Sequence, residues 1–181
     1  TTSVMGVVKD TTKVLVAELP VKFDSTDVLI FGIELIDLQE RGAGLVKIKS
    51  ASYSGSSGVS SYVSGDYMGG EFVNLIFQGG NGVESKLTDK RIRIRSVSFL
   101  REIFRKTKTG YLLYSVYDRE INGDKELNQS DLEAFYISKL DGTGFKKISK
   151  ELHEFSDYRL VKGSSRVYFR TLEDKNKDGQ L

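Results

Sequence analysis

An acidic, oxygen-rich loop occurs twice in this chain, each time after a run that alternates like a β-strand. That placement restricts the fold more than any other feature. The first copy reads E-I-N-G-D-K-E-L-N-Q-S-D from Glu120 to Asp131, and the second reads D-K-N-K-D-G-Q-L from Asp174 to Leu181. Oxygen side chains at positions 1, 3 and 5, an apolar residue at 8 and a carboxylate at 12 are what a hard cation such as Ca²⁺ requires. Such an ion takes several oxygen ligands at once, so alternate residues of a tight loop must turn inward. A segment that does this while leaving one strand and entering another confines its surroundings to a strand–loop–strand arrangement.

Two frames fit the first copy. Starting at Asp118 puts Glu120, Asn122 and Gly123 at positions 3, 5 and 6, but leaves Lys125 at the apolar position 8 and Gln129 at 12. Starting at Glu120 makes Glu120, Asn122 and Asp124 ligands 1, 3 and 5. The carbonyl of Glu126 then serves at 7, Leu127 is the apolar residue, Asn128 sits at 9 and Asp131 closes the loop. The second copy decides for this frame: Asp174, Asn176, Asp178, Gly179 and Leu181 fall at 1, 3, 5, 6 and 8. One position departs from the pattern. Lys125 stands at 6, where glycine normally supplies φ > 0, so the loop is expected to carry strain there.

Glu120 to Asp131 resembles the calcium loop of dockerin and EF-hand proteins, D-x-N-x-D-G-x-[ILV]-[ND]-x-x-D. An EF-hand would need flanking helices, whereas Y-L-L-Y-S-V-Y (Tyr111 to Tyr117) precedes this loop and F-Y-I-S-K-L (Phe135 to Leu140) follows it. Strand–loop–strand calcium sites occur in integrin-type propellers, and F-Y-I-S-K-L-D-G-T-G-F-K-K-I-S (Phe135 to Ser149) is similar to the inner hairpin of a TolB-type propeller blade. The likeness spans roughly Arg91 to Leu181. The chain as a whole resembles bacterial cell-envelope proteins and lipoproteins that combine such blades with calcium loops. That resemblance implies structural Ca²⁺ and an extracytoplasmic location, periplasmic or on the cell surface. It carries no catalytic activity with it.

The two loops start 54 residues apart, and at that offset Tyr114 meets Tyr168 and Leu113 meets Val167. A period near 50 residues lies within the range of propeller blades and other arrays. A pair of similar hairpins in an ordinary β-domain explains the same facts. At 181 residues and 39% hydrophobic, the chain can bury one good core or two small ones. It is too short for a closed propeller of at least four blades. The expected fold is therefore all-β, with antiparallel meanders resembling incomplete blades, or alternatively a β-sandwich. The stop at Leu181, inside a half-finished loop, reads as a truncated or partly ordered C-terminus.

Strands are expected at Val14 to Phe23 and Val28 to Ile36, joined by the turn D-S-T-D, with Pro20 at an edge or bulge. Further strands are expected at Leu45 to Ile48, Glu71 to Gln78 and Arg91 to Phe99. The Ser-, Gly- and Tyr-rich stretch from Ser50 to Gly70 reads either as a flexible connection or as an exposed, Tyr-bearing strand pair. Taken as a connection, it divides an N-terminal hairpin region, 1–70, from a blade-like domain, 71–181. Val97 to Lys106 fits either a helical stripe or a strand. For the C-terminal core the alternation selects Leu113, Val116, Phe135, Ile137, Val167 and Phe169.

Nine basic residues lie between Lys86 and Lys108, against Asp89 and Glu102. Arg91, Arg93 and Arg95 alternate with Ile92 and Ile94, so one strand face is apolar and the other positive. This face offers a site for an anionic ligand, or is a solvated surface that protects an edge. Net charge is only +2 and no aromatic residues interleave with the arginines, so nucleic acid is not an expected partner. His153 is the only histidine and no G-x-S-x-G elbow is present, so no catalytic residue is assigned. With no cysteine, disulfides and thiolate metal sites are excluded. No apolar run approaches the roughly 20 residues of a transmembrane helix. The start at Thr1 without Met reads as a mature or trimmed form. The functional expectation is a non-enzymatic, calcium-binding envelope scaffold. The alternative is a carbohydrate- or polyanion-binding module with structural calcium.

Overall fold

The computed structural model describes residues 13–37, 61–161 and 163–173. Strands account for 51% of them. In chain order these are β1 (Lys13–Ala17), β2 (Leu29–Asp37), β3 (Tyr62–Ser64), β4 (Tyr67–Gln78), β5 (Glu84–Lys86), β6 (Arg93–Phe99), β7 (Tyr111–Tyr117), β8 (Glu133–Lys139), β9 (Lys146–Lys147), β10 (His153–Leu160) and β11 (Val167–Glu173). Among the described residues a single helix, α1 (Arg101–Thr107), interrupts them between β6 and β7. The main sheet is antiparallel, in the order β1-β2-β4-β6-β7-β8-β9, with β3 and β5 both paired to β4. Strands β10 and β11 form a separate two-stranded sheet. The all-β, antiparallel meander expected from the alternation is what the chain adopts.

The local readings meet the structure with some corrections. The first expected strand stops at Ala17 and resumes only as a single bridge from Val21 to Ile30. Pro20 stands exposed in the gap, where its missing N–H costs no ladder bond. The D-S-T-D turn forms as expected: Ser25 has φ 65° and the Thr26 hydroxyl donates to the Phe23 carbonyl at 2.7 Å. Within 61–70, the Tyr-bearing strand pair is the reading that holds, since β3 folds back onto β4 through Gly65 and Asp66. Strand β4 then runs through residue 70, and β2 pairs with its second half. Val97 to Lys106 satisfies both alternatives in turn, with β6 ending at Phe99 and α1 beginning two residues later. The strand expected at Leu45 to Ile48 lies outside the described residues.

Both faces of the central sheet are buried. On one, Phe72, Leu75, Phe77, Ile94, Val97, Leu112, Tyr114, Val116 and Tyr136 form the larger cluster, joined by Phe23 stacked on Phe99 at 5.3 Å. Irregularities between Gly69 and Phe72 and between Ile94 and Ser96 shift the alternation, which is why Ile94 and Val97 reach the same core. The turn after β8 closes against β4. Gly142 has φ 82°, and a Cβ there would lie 2.6 Å from the Phe77 ring. On the opposite face Leu113 and Phe135 are covered by Leu100 and Ile103, at the start of and within α1, and by the β10–β11 hairpin. Phe155 stacks on Phe135 at 4.1 Å.

Of the six residues selected for the C-terminal core, Leu113 and Phe135 are buried with Ile137 and Val167 partly buried against them, whereas Val116 is buried in the larger cluster on the other face. Phe169 is the exception at 37% exposed, because β11 is the outer strand of a two-stranded sheet and only part of its ring reaches Phe135. The two strands that precede the acidic loops also differ: Tyr114 is fully buried, whereas Tyr168 is 55% exposed.

Candidate metal loop

Strands β7 and β8 are paired from Tyr111↔Lys139 to Tyr117↔Glu133, and the loop between their ends is the acidic segment. Asp118, the start of the rejected frame, is engaged elsewhere. Its Oδ2 accepts the Tyr136 hydroxyl at 2.6 Å and lies 3.0 Å from the Lys147 ammonium. The loop residues of the chosen frame turn their oxygens back onto the loop itself. Glu120 accepts the Gly123 N–H. Asn122 Oδ1 accepts the Asp124 N–H at 2.9 Å, Asp124 Oδ1 the Glu126 N–H at 2.7 Å, and Asn128 Oδ1 the Ser130 N–H at 2.8 Å. These successive Asx turns coil the backbone around the carboxylate of Asp124.

Asp124 Oδ2 also receives the side-chain amides of Asn122 at 3.1 Å and Asn128 at 3.0 Å. The Glu126 N–H first, and then the Asn128 amide, hold the Asp124 carboxyl below the usual carboxylate range. Lys125 adopts φ 66°, the left-handed conformation demanded at position 6 of the frame. Its carbonyl accepts a bond of 2.5 Å from the guanidinium of Arg91, two residues ahead of β6, which pins the strained residue to the segment leading into that strand.

Asp131 plays a different part. It is 5% exposed, and its two carboxylate oxygens accept the N–H groups of Ile121 at 2.9 Å and Asn128 at 3.0 Å. It therefore clamps the two ends of the loop together, with Leu127 buried beneath. The structure thus joins Asn122, Asp124 and Asn128 directly and places Glu120 and Asp131 at the loop's ends. Among the described residues, no three His, Cys, Asp or Glu side chains stand close enough together to hold a metal ion. Asp174, Asn176 and Asp178 of the second copy lie outside the described residues.

The arginine strand is less open to an outside anion than its sequence implies. Ile92 and Ile94 are buried as expected. Besides the Arg91 contact, Arg93 donates to the Glu71 carbonyl at 3.3 Å, and Arg95 donates to Glu133 Oε2 at 2.7 Å. Glu133, at the first position of β8, is buried, and its N–H reaches Glu154 Oε2 on β10 at 2.5 Å. This Arg95–Glu133–Glu154 chain supports the base of the loop and was not legible from spacing, since its members come from three distant segments. The lone His153 is hydrogen-bonded to the Thr171 hydroxyl across the β10–β11 pair at 3.1 Å. No helix among the described residues is long and apolar enough to cross a membrane. In comparisons with protein families, curated proteins and solved structures, nothing matches the chain.

Proposed function

We propose that Glu120, Asn122, Asp124, the Glu126 carbonyl, Asn128 and Asp131 bind one Ca²⁺, and that the protein is a non-enzymatic β scaffold of the cell envelope stiffened by that ion. The observation that carries this reading is the coiled backbone around Asp124, with oxygen side chains at positions 1, 3, 5, 9 and 12 and a left-handed residue at 6. Each carboxylate or amide oxygen that now accepts one N–H keeps a further lone pair for a cation. Glu120, Asp124 and Asp131 place three negative charges within twelve residues, which a divalent cation offsets. Closure of the site requires the Glu120 carboxylate and the Asn122 and Asn128 amides, which now donate to Asp124, to turn their oxygens toward the ion.

A strained position 6 points to modest affinity, which suits compartments where Ca²⁺ is millimolar. This supports the periplasm or cell surface as the location, and the two-copy loop supports a repeat. The polyanion alternative has less to draw on, because Arg91, Arg93 and Arg95 already donate to protein acceptors. Calorimetric titration and thermal melts in Ca²⁺ and in chelator test the proposal. If the dissociation constant is about 10 μM, 1 mM Ca²⁺ raises stability by about 2.7 kcal/mol, and Asp124→Ala abolishes the increment. No heat at millimolar Ca²⁺ and an unchanged midpoint in chelator refute it.

A further inference from the structure

Away from the loop, one oxygen of a buried acid has no donor among the described residues. Glu34 on β2 is 2% exposed, and among the described residues its Oε1 has no hydrogen-bond partner. Its position explains the burial. Ile30, Gly32 and Glu34 alternate on the core-facing side of β2, and the Phe72 ring lies over Gly32, where a Cβ would come within 2.3 Å of it. Across the β1–β2 ladder Val16 pairs with Glu34, and just beyond β1 the Glu18 N–H donates to the Gly32 carbonyl at 2.8 Å. Glu18 is therefore the diagonal neighbour of Glu34 on the same face, and its carboxyl faces that of Glu34.

Two ionised carboxylates are acceptors only, so this contact is satisfied only when one of them carries a proton. The other charged groups that face Glu34 are Glu71 on β4 and Arg93 on β6. Glu71 adds repulsion. Among the described residues Arg93 is the opposing charge, and it is shared with Glu71, whose carbonyl it binds and whose carboxylate lies 4.0 Å away. We propose that Glu18 and Glu34 share one proton, and that losing it releases the β1 edge of the sheet. Among the described residues β1 is held to the sheet through β2 alone, so repulsion between these carboxylates acts on a terminal strand of the main sheet.

Burial, and then the Glu18 carboxylate, push the Glu34 carboxyl up to about 7 from 4.5. The folded protein thus binds the proton more tightly than the unfolded chain. The stabilisation is complete below about pH 4.5, declines as pH rises toward 7, and is absent above it. The latch is closed in mild acid and open in mild alkali. An open latch leaves β2, with its L-I-F-G-I run, as the sheet edge, free to accept another strand.

The test is residue-resolved hydrogen exchange on the full chain, corrected for intrinsic rates. Protection of the β1 amides should fall at least about tenfold between about pH 5 and about pH 8. In Glu34→Gln that dependence should vanish, in Glu18→Gln it should shrink, and Glu71→Gln should retain it. Because only β1 amides are read, titration elsewhere does not mimic the effect. A wild-type protection that stays constant, or a Glu34→Gln variant that keeps the fall, overturns the proposal. Should the variants fail to fold, carbon-detected titration of the wild-type Glu34 carboxyl decides alone. A midpoint near neutrality supports the shared proton, and one in the ordinary carboxylate range overturns it.

Discussion

Replacing Asp131 by alanine separates the clamp that shapes the loop from the carboxylate at its centre. Asp131 is almost wholly buried, and its two oxygens take the N–H groups of Ile121 and Asn128 at 2.9 and 3.0 Å. Hydrogen bonds to an ionised acceptor contribute about 1.5–3 kcal/mol each. Both donors are half-buried, so water reaches them in part once the carboxylate is gone. Taking the lower value twice gives a cost of about 3 kcal/mol in the absence of any ion. Asp124 is exposed, and its truncation in chelator should cost only a small fraction of that. Urea unfolding with chelator, followed by the same series in 1 mM Ca²⁺, reads both numbers. With Ca²⁺ the wild type should gain stability while Asp124→Ala does not. Equal costs for the two substitutions in chelator, or a cost below about 1 kcal/mol for Asp131→Ala, would refute the division of roles.

Two further substitutions probe the packing. Phe135→Ala should cost about 3–5 kcal/mol by urea unfolding, because its ring is buried and stacked on Phe155, whereas Phe169→Ala should cost about 1–2 kcal/mol given its exposure. Comparable losses at the two sites would mean that the β10–β11 hairpin covers β8 differently. Gly142→Ala meets both a positive φ and the Phe77 ring and should lose more than about 2 kcal/mol; Gly65→Ala has a positive φ but open space, and should lose about 1 kcal/mol. A thermal melt that finds the two alanine variants equal removes the close approach of the β8–β9 turn to β4.

Much of this protein is encoded locally. Alternating β-branched and aromatic residues are enough to place β2, β7 and β8, because side chains of a strand leave on opposite faces whatever lies beyond them. The loop frame follows from residue spacing, and the left-handed Lys125 follows from the backbone that an Asx-rich coil requires. Where Ile92 and Ile94 go, and where Arg91 does not, is also set within a few residues. Other features arise only when distant segments meet. A bulge after Ile94 brings Val97 to the same core, and nothing in R-I-R-I-R-S-V-S-F marks the extra residue. Strand β7 is buried on both faces because the helix before it and a hairpin from later in the chain cover the second one, which also leaves Phe169 at the rim. The arginines lose their freedom to Glu71 and Glu133, residues 22 and 38 positions away. Glu34 looks like a surface acid in an apolar strand until β1 and β4 close over it. Short-range sterics and alternation act before the chain has a shape; desolvation and charge pairing have no meaning until it does.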